Sequence, residues 1–182
     1  MLQRDVFIEE ISKHLHENKH VYFLSADFGA AALDELRKNF PDNFIHCGIC
    51  EQGMLDIATG LALEGKSVFC YAMAPFLSLR AIEQLKCGPG MMNLPVCLIS
   101  VGVGLGYADS GPTHYATEDF AAIRSIVNSS IYSASDSVVA RDLANKWIAN
   151  PHPAYVRLDR HDLPDLQGFK TMDGFRVLGD QN

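Results

Sequence analysis

Two short stretches of the sequence carry the side chains best suited to chemistry. Glu51 lies in GICEQGM, and His114 lies in SGPTHYATED. A carboxylate can share a proton, and an imidazole can donate, accept or relay one near neutral pH. Whether the two act together depends on the elements that position them, because they lie far apart in the chain.

The apolar pattern predicts strands that alternate with helices along the chain. Short apolar runs predict six strands, namely HVYFLSA, NFIHCG, SVFCYAM, LPVCLISVGV, SIYSA and PAYVRLD. This alternation is typical of a parallel sheet covered by helices on both faces. The predicted fold is therefore a three-layer α/β/α domain with a mainly parallel sheet of about six strands. The polar tail from His161 onward has turn signals and predicts no regular element.

The predicted topology brings both stretches to one edge of the sheet. Glu51 falls in the first turn of a helix that follows the second strand, and His114 follows a glycine-rich loop after the fourth. Ligands of such sheets bind beyond the carboxyl ends of the strands. Each residue alone also suits a structural role, since a carboxylate is stabilised at a helix N-terminus and a loop histidine is often a surface residue.

One motif in the sequence points elsewhere and fails on its context. GLALEGKS, residues 60–67, fits the phosphate-loop pattern G-x-x-x-x-G-K-[ST]. A functional phosphate loop follows a strand and opens a helix, so that backbone N–H groups face the phosphates. Here a predicted helix runs into Gly65 and a strand begins at Ser67, which would leave Lys66 at a helix C-terminus, so we do not expect nucleotide binding there.

Composition restricts the class of protein. The chain has 182 residues and a formal net charge of −7, and no basic stripe predicts nucleic-acid binding. Five cysteines without repeat spacing argue against a disulfide framework, and Cys70 and Cys97 lie in apolar runs that predict burial. The sequence has no apolar run long enough for a membrane span and no secretory signal, so we expect a cytoplasmic protein without membrane contact.

Two long blocks together identify a family. The stretch from GICEQGM to FLSLRAIEQLK resembles the G-I-x-E-Q-x-M…G-L-A-L-E-G and F-L-x-x-R-A-x-E-Q blocks of transketolases, and GPTHYATED resembles their G-P-T-H-x-x-x-E-D block. SADFGA is similar to the S-A-D-L segment of the same enzymes. The resemblance covers residues 4 to about 164 and is to the pyrimidine-binding domain of transketolases and of the related deoxyxylulose-phosphate synthases.

The resemblance implies a role for Glu51 in binding thiamine diphosphate. In the family, the 4′-amino group of the cofactor takes a proton from its thiazolium ring, which requires the imino tautomer. A glutamate hydrogen-bonded to the pyrimidine N1′ atom favours that tautomer, and Glu51 matches this glutamate.

Other site residues follow from the same resemblance. For the cofactor, Phe76 matches the aromatic residue that stacks on the pyrimidine, Met73 lies where some members have a second aromatic, and Asp27 matches the S-A-D aspartate. For the substrate, the expected residues are His114, Arg160, Arg4 and Asp109. His114 would contact substrate hydroxyls and serve with Glu51 as a catalytic residue, and the two arginines would bind the phosphate of a sugar phosphate.

The sequence departs from the family mainly on the substrate side. Ala31 replaces a phosphate-binding serine, and Gly102 replaces the histidine found twelve residues before the G-P-T-H histidine. Ser110 stands where an aspartate often precedes G-P-T-H, with Asp109 one place earlier. The cofactor side is therefore expected to be intact and the sugar-phosphate side altered.

The resemblance also implies a partner. The G-D-G…N motif that holds magnesium and the diphosphate in the family is absent from this sequence, so both are expected on a diphosphate-binding domain or subunit in a homodimer or heterotetramer. Residues 1–164 would form the pyrimidine-binding domain, and residues 165–182 a linker toward a C-terminal domain that the sequence does not include. The isolated chain is expected to be inactive.

Three functions remain open at this point. The first is the transfer of two-carbon ketol units between sugar phosphates. The second is a synthase that decarboxylates a 2-oxo acid and joins the fragment to an aldehyde. The third is an interaction module without catalysis, which the presence of Glu51 within both long blocks disfavours.

Overall fold

The computed structural model describes residues 1–26 and 29–165, together with the backbone of strands at 169–172 and 175–178. Its helices are α1 (Gln3–Glu17), α2 (Ala31–Asn39), α3 (Glu51–Leu63), α4 (Ile82–Leu85), α5 (Asp119–Arg124) and α6 (Ser137–Ala149). Its strands are β1 (Val21–Ala26), β2 (Phe44–Gly48), β3 (Ser67–Met73), β4 (Val96–Val101), β5 (Ser130–Ser133), β6 (Ala154–Leu158), β7 (Phe169–Met172) and β8 (Phe175–Leu178).

Strands β1 to β6 form one parallel sheet in the order β2-β1-β3-β4-β6-β5. This confirms the predicted six-stranded sheet. The chain runs from β1 outward to β2 and then returns to place β3 on the other side of β1. The strand order therefore reverses between β1 and β3, which is where open parallel sheets form their binding crevice.

Helices cover both faces of the sheet, as the three-layer prediction requires. On one face α1, α2 and α6 bury residues such as Phe7, Leu36 and Trp147. On the other face α3, α4 and α5 bury residues such as Met54 and Leu85. The central strands are apolar on both sides because both sides are covered, which explains why they read as continuous apolar runs.

Helix α3 ends where the sequence predicts it to end. Gly65 has a φ of 77°, its N–H bonds the carbonyl of Ala62 at 3.0 Å, and the N–H of Lys66 bonds the carbonyl of Leu61 at 3.1 Å. This pair of bonds is the Schellman motif, which needs a left-handed residue after the helix. Lys66 thus lies at a helix C-terminus, where its Nζ atom is 2.9 Å from Nδ1 of His20, and the phosphate-loop pattern is structural.

Two segments differ from the sequence-based expectation. The stretch after β3, predicted as one regular helix, winds as π-helical turns at Phe76–Arg80 and Lys86–Gly90 on either side of α4. Pro89 lies inside the second turn and has no N–H for an α-helical bond. The tail, predicted to lack regular structure, contains β7 and β8 as an antiparallel pair. The Asp-Gly pair between them in the sequence is a hairpin signal that the prediction overlooked.

No helix in the described part of the chain is both long enough and apolar enough to cross a bilayer.

Replacing Gly65 by Ala tests the helix stop. The left-handed backbone costs an L-residue about 1–2 kcal/mol, so Gly65→Ala should lower the free energy of unfolding by that amount. Gly60→Ala is the matched control, because Gly60 lies inside α3 with open space around it. That change should leave stability equal or raise it by about 0.5–1 kcal/mol. Urea denaturation measures both, and equal effects would contradict the assignment.

Candidate functional site

The predicted site residues lie at the carboxyl edge of the sheet. Glu51 is the first residue of α3, which follows β2 closely, and Met73 is the last residue of β3. Phe76 opens the π-helical turn after β3, and Arg160 follows β6 by two residues. Because the strands are parallel, these loops meet at one edge, as the sequence predicts.

The carboxylate of Glu51 is buried and ion-paired. The residue is 3% exposed, and its Oε2 atom accepts a hydrogen bond from Nη1 of Arg80 at 2.8 Å. Its position in the first turn of α3 adds the positive end of the helix dipole. Among the described contacts, Arg80 uses one of the two carboxylate oxygens, so Oε1 is left for a ligand.

Arg80 also connects Glu51 to the aromatic part of the site. Its guanidinium lies 4.1 Å from the centre of the Phe76 ring, and Phe76 meets the ring of His114 edge-on at 5.4 Å. Nδ1 of His114 is 2.9 Å from the hydroxyl of Thr113. The structure thus brings Glu51, Phe76 and His114 together, with Arg80 as the link that the sequence analysis missed. Its signal was the arginine four residues after Phe76 in the FLSLR block.

The turn that carries Phe76 is anchored from below by a buried network. The hydroxyl of Ser78 donates to the carbonyl of Ala74 at 2.8 Å. The phenol of Tyr155 donates to Asp119 at 3.1 Å, and Nε of Arg157 donates to the same carboxylate at 2.8 Å. Asp119 is only 1% exposed. Burial, followed by the Asp119 charge, raises the pKa of Tyr155 far above its ordinary value, so the phenol remains a donor.

A second cluster lies beyond His114, around Tyr107. The two ring centres are 6.4 Å apart, and the guanidinium of Arg160 lies 4.5 Å from the centre of the Tyr107 ring. Arg160 forms two hydrogen bonds to Asp109, at 2.6 and 3.3 Å, and a third to the carbonyl of Gly106 at 3.2 Å. The bond from Arg160 lowers the pKa of Asp109 below its usual range.

Arg4 reaches the same end of the site from α1. Its Nε atom donates to Asp5 at 2.7 Å. Burial raises the pKa of Tyr107, and the charges of Arg160 and then Arg4 oppose that rise, which places Arg4 within electrostatic range of the ring. Both arginines predicted to bind substrate therefore lie near Tyr107, and each already has a carboxylate partner.

Met73 and Asp27 are the other two residues predicted to bind the cofactor. Met73 is half-buried at the end of β3 and pairs in register with Val101 of β4. Asp27 lies outside the described residues. Within residues 1–26 and 29–165, no group of His, Cys, Asp and Glu side chains could hold a metal ion.

The fold and this site define a class of protein, the α/β/α domains that bind a ligand at the switch point of a parallel sheet. Comparison with known proteins places the chain more closely. The model of the transketolase pyrimidine-binding domain matches residues 1–165. The chain belongs to this family, whose members are components of thiamine-diphosphate enzymes.

Several relatives are similar over most of the chain. One of the two subunits of an apulose-4-phosphate transketolase from Phocaeicola vulgatus is 31% identical over 180 residues, which is 98% of this chain and 57% of that protein. Its counterpart from Actinobacillus succinogenes is 35% identical over 71% of this chain and 42% of its own length. A 1-deoxy-D-xylulose-5-phosphate synthase from Corynebacterium glutamicum is 33% identical over 95% of this chain and 28% of its own length. The chain thus spans about half the length of the transketolase subunits that it resembles.

Solved structures agree on the fold. A split-gene transketolase described as an inactive beta4 tetramer is 27% identical with a TM-score of 0.80, over 91% of this chain and 54% of the other. A transketolase from Campylobacter jejuni has a TM-score of 0.83 at 23% identity, over 95% of this chain and 28% of its own length. The three-layer fold predicted from the sequence is confirmed.

Replacing Arg80 by Gln tests the ion pair at the site. The change leaves the buried Glu51 carboxylate without its cation, which should lower the free energy of unfolding by about 1–3 kcal/mol. Arg124→Gln is the control, because Arg124 is exposed in the last turn of α5. Chemical denaturation of the isolated chain measures both changes, and an Arg80 effect no larger than that of Arg124 would refute the pairing.

Replacing Asp119 by Asn tests the anchor beneath Phe76. Removing one partner of a buried ion pair costs about 3–5 kcal/mol, because the Arg157 guanidinium keeps its charge in a largely buried place. The comparison variant is Asp34→Asn, since Asp34 pairs with Arg37 on the exposed surface of α2, where such pairs contribute about 0–1 kcal/mol. Thermal unfolding of both variants should separate them clearly, and similar midpoints would show that the Asp119 network is not an anchor.

Proposed function

We propose that this chain is the pyrimidine-binding part of a thiamine-diphosphate-dependent enzyme that transfers two-carbon ketol units between sugar phosphates. The observation that carries the proposal is the buried carboxylate of Glu51 at the start of α3, beside Phe76 and His114. A buried carboxylate is costly unless something compensates it, so its retention at a ligand-binding edge is typical of a functional group.

The side chains at this edge suit a pyrimidine ring. Phe76 is half-buried and supplies a flat apolar face, and Met73 supplies a second apolar surface. Glu51 offers its Oε1 atom for a hydrogen bond with a ring nitrogen. When bound, thiamine diphosphate supplies the thiazolium carbon that carries the two-carbon unit. Glu51 holds or shares the proton at the pyrimidine nitrogen, and the buried surroundings of its carboxylate exclude water from that bond.

The second cluster suits the sugar. His114, next to Phe76, donates to or accepts from substrate hydroxyls and relays protons at the reacting end. Arg160 and Arg4 bind the substrate phosphate farther out, and Asp109 orients Arg160. Asp27 completes the thiazolium side of the site, by its match to the family motif.

We further propose that a diphosphate-binding domain or subunit holds the diphosphate and magnesium. The relatives that are subunits of split transketolases support a partner of this kind, within a homodimer or heterotetramer in the cytoplasm. Residues 1–164 are the proposed pyrimidine-binding domain, and 165–182 the linker toward a further domain. The chain alone would then lack half of the cofactor site and be inactive.

Reconstitution with Glu51→Gln tests the function. The chain, extended to its natural C-terminus, is mixed with its diphosphate-binding partner, thiamine diphosphate and magnesium, and ketol transfer between sugar phosphates is followed. Loss of the glutamate should reduce kcat by about 10²–10⁴-fold with the fold intact, because the amide cannot share a proton in the same way. Glu83→Gln, on the exposed surface of α4, should retain full activity.

Two results would count against the proposal. Near-normal turnover of the Glu51→Gln variant would contradict the assigned role, and failure of every mixture to bind the cofactor would contradict an enzymatic function. Pyruvate with glyceraldehyde 3-phosphate is assayed in parallel, because the 33% identity to a deoxyxylulose-phosphate synthase makes that reaction the specific alternative.

A further inference from the structure

Tyr107 and Gly102 occupy the same space at the substrate side of the site. Gly102 follows β4 directly and has a φ of 81°. A Cβ atom at position 102 would lie 2.0 Å from Cε2 and 2.3 Å from Cδ2 of the Tyr107 ring. Protein atoms do not approach so closely, so a side chain at 102 and the ring at 107 exclude each other.

The ring is held firmly in that place. Tyr107 is 8% exposed, and the loop that carries it is closed by paired backbone bonds between Gly104 and Ala116, at 3.1 and 2.9 Å. Arg160 covers the ring face at 4.5 Å and is itself tied to the carbonyl of Gly106. The ring is therefore a fixed wall of the site, packed from one side by backbone and from the other by a guanidinium.

The wall stands between the reacting end and the charged end. Ring centres are 5.4 Å apart between Phe76 and His114 and 6.4 Å apart between His114 and Tyr107. Arg160 lies on the far side of Tyr107. A substrate that reacts near Phe76 and sends its anionic group toward Arg160 must pass beside the Tyr107 ring.

We propose that Tyr107 is a specificity-determining residue, whose ring selects short acceptor aldoses of three or four carbons over longer ones. The inference rests on the proposed function. The ring takes up volume that additional carbons would need, and it offers the substrate an aromatic surface. With glycine at 102 and alanine at 31, Arg160 and Arg4 carry the recognition of the anionic group.

Acceptor competition in the reconstituted enzyme tests the proposal. Hydroxypyruvate is the donor: its bond to the carboxylate breaks, carbon dioxide leaves, and the two-carbon unit forms a bond to the acceptor aldehyde carbon, whose oxygen takes up a proton. The acceptors are glyceraldehyde 3-phosphate, with three carbons, and ribose 5-phosphate, with five. The measured quantity is the ratio of kcat/KM for the two.

The unmodified enzyme should prefer the three-carbon acceptor. Tyr107→Ala should move the ratio toward the five-carbon acceptor by roughly tenfold or more, the scale at which a pocket discriminates added carbons. Tyr107→Phe is the matched control, because it retains the ring and should retain the ratio. An unchanged ratio in Tyr107→Ala, or a preference of the unmodified enzyme for ribose 5-phosphate, would overturn the inference.

A stability measurement tests the shared space without activity. Gly102→Ala should lower Tm by about 5–10 °C, because the new methyl group meets the ring in a left-handed backbone. Adding Tyr107→Ala should recover part of that loss, and additive losses would contradict the steric exclusion. An enzyme that uses hydroxypyruvate with neither acceptor would refute the proposed function itself, whereas an active enzyme with an unchanged ratio would refute only the role of Tyr107.

Discussion

The ion pair between Glu51 and Arg80 is the interaction on which the site depends. A carboxylate with 3% exposure is stable only if charge and hydrogen bonds compensate its lost hydration. Here the start of α3 and the Arg80 guanidinium provide that compensation. Because the same guanidinium stacks on Phe76, which contacts His114, the ion pair also fixes the aromatic side of the site. The polar and apolar surfaces that a pyrimidine needs are thus held by one side chain.

The arrangement of charges differs between the two ends of the site. At Glu51 the pair is buried, so its geometry is fixed and its loss is costly. At Arg160 the partner Asp109 is 67% exposed, where an ion pair contributes only about 0–1 kcal/mol. An anionic substrate can therefore take the place of Asp109 on the guanidinium at little cost. The same reasoning applies to Arg4 and Asp5, which are both near the surface.

Much of this arrangement could be predicted from the sequence, and the parts that could not have physical causes. The parallel sheet follows from apolar runs that alternate with helical patterns, and the position of Glu51 follows from its place between β2 and α3. The partnership with Arg80 was missed because it joins side chains distant in sequence, and because it depends on the π-helical turn at Phe76–Arg80. Helical periodicity does not distinguish such a turn from an α-helix. The place of Tyr107 was missed for a related reason, since a glycine-rich loop gives no pattern from which its path can be inferred.

The central claim is that Glu51 promotes loss of the proton from the thiazolium ring of the bound cofactor. The most direct measurement is the rate of hydrogen–deuterium exchange at thiazolium C2 in the reconstituted complex, followed by proton NMR after acid quenching and without substrate. The account predicts fast exchange in the unmodified complex and exchange slower by about 10²–10⁴-fold in Glu51→Gln, with the cofactor bound in both. Equal exchange rates in the two complexes would contradict it.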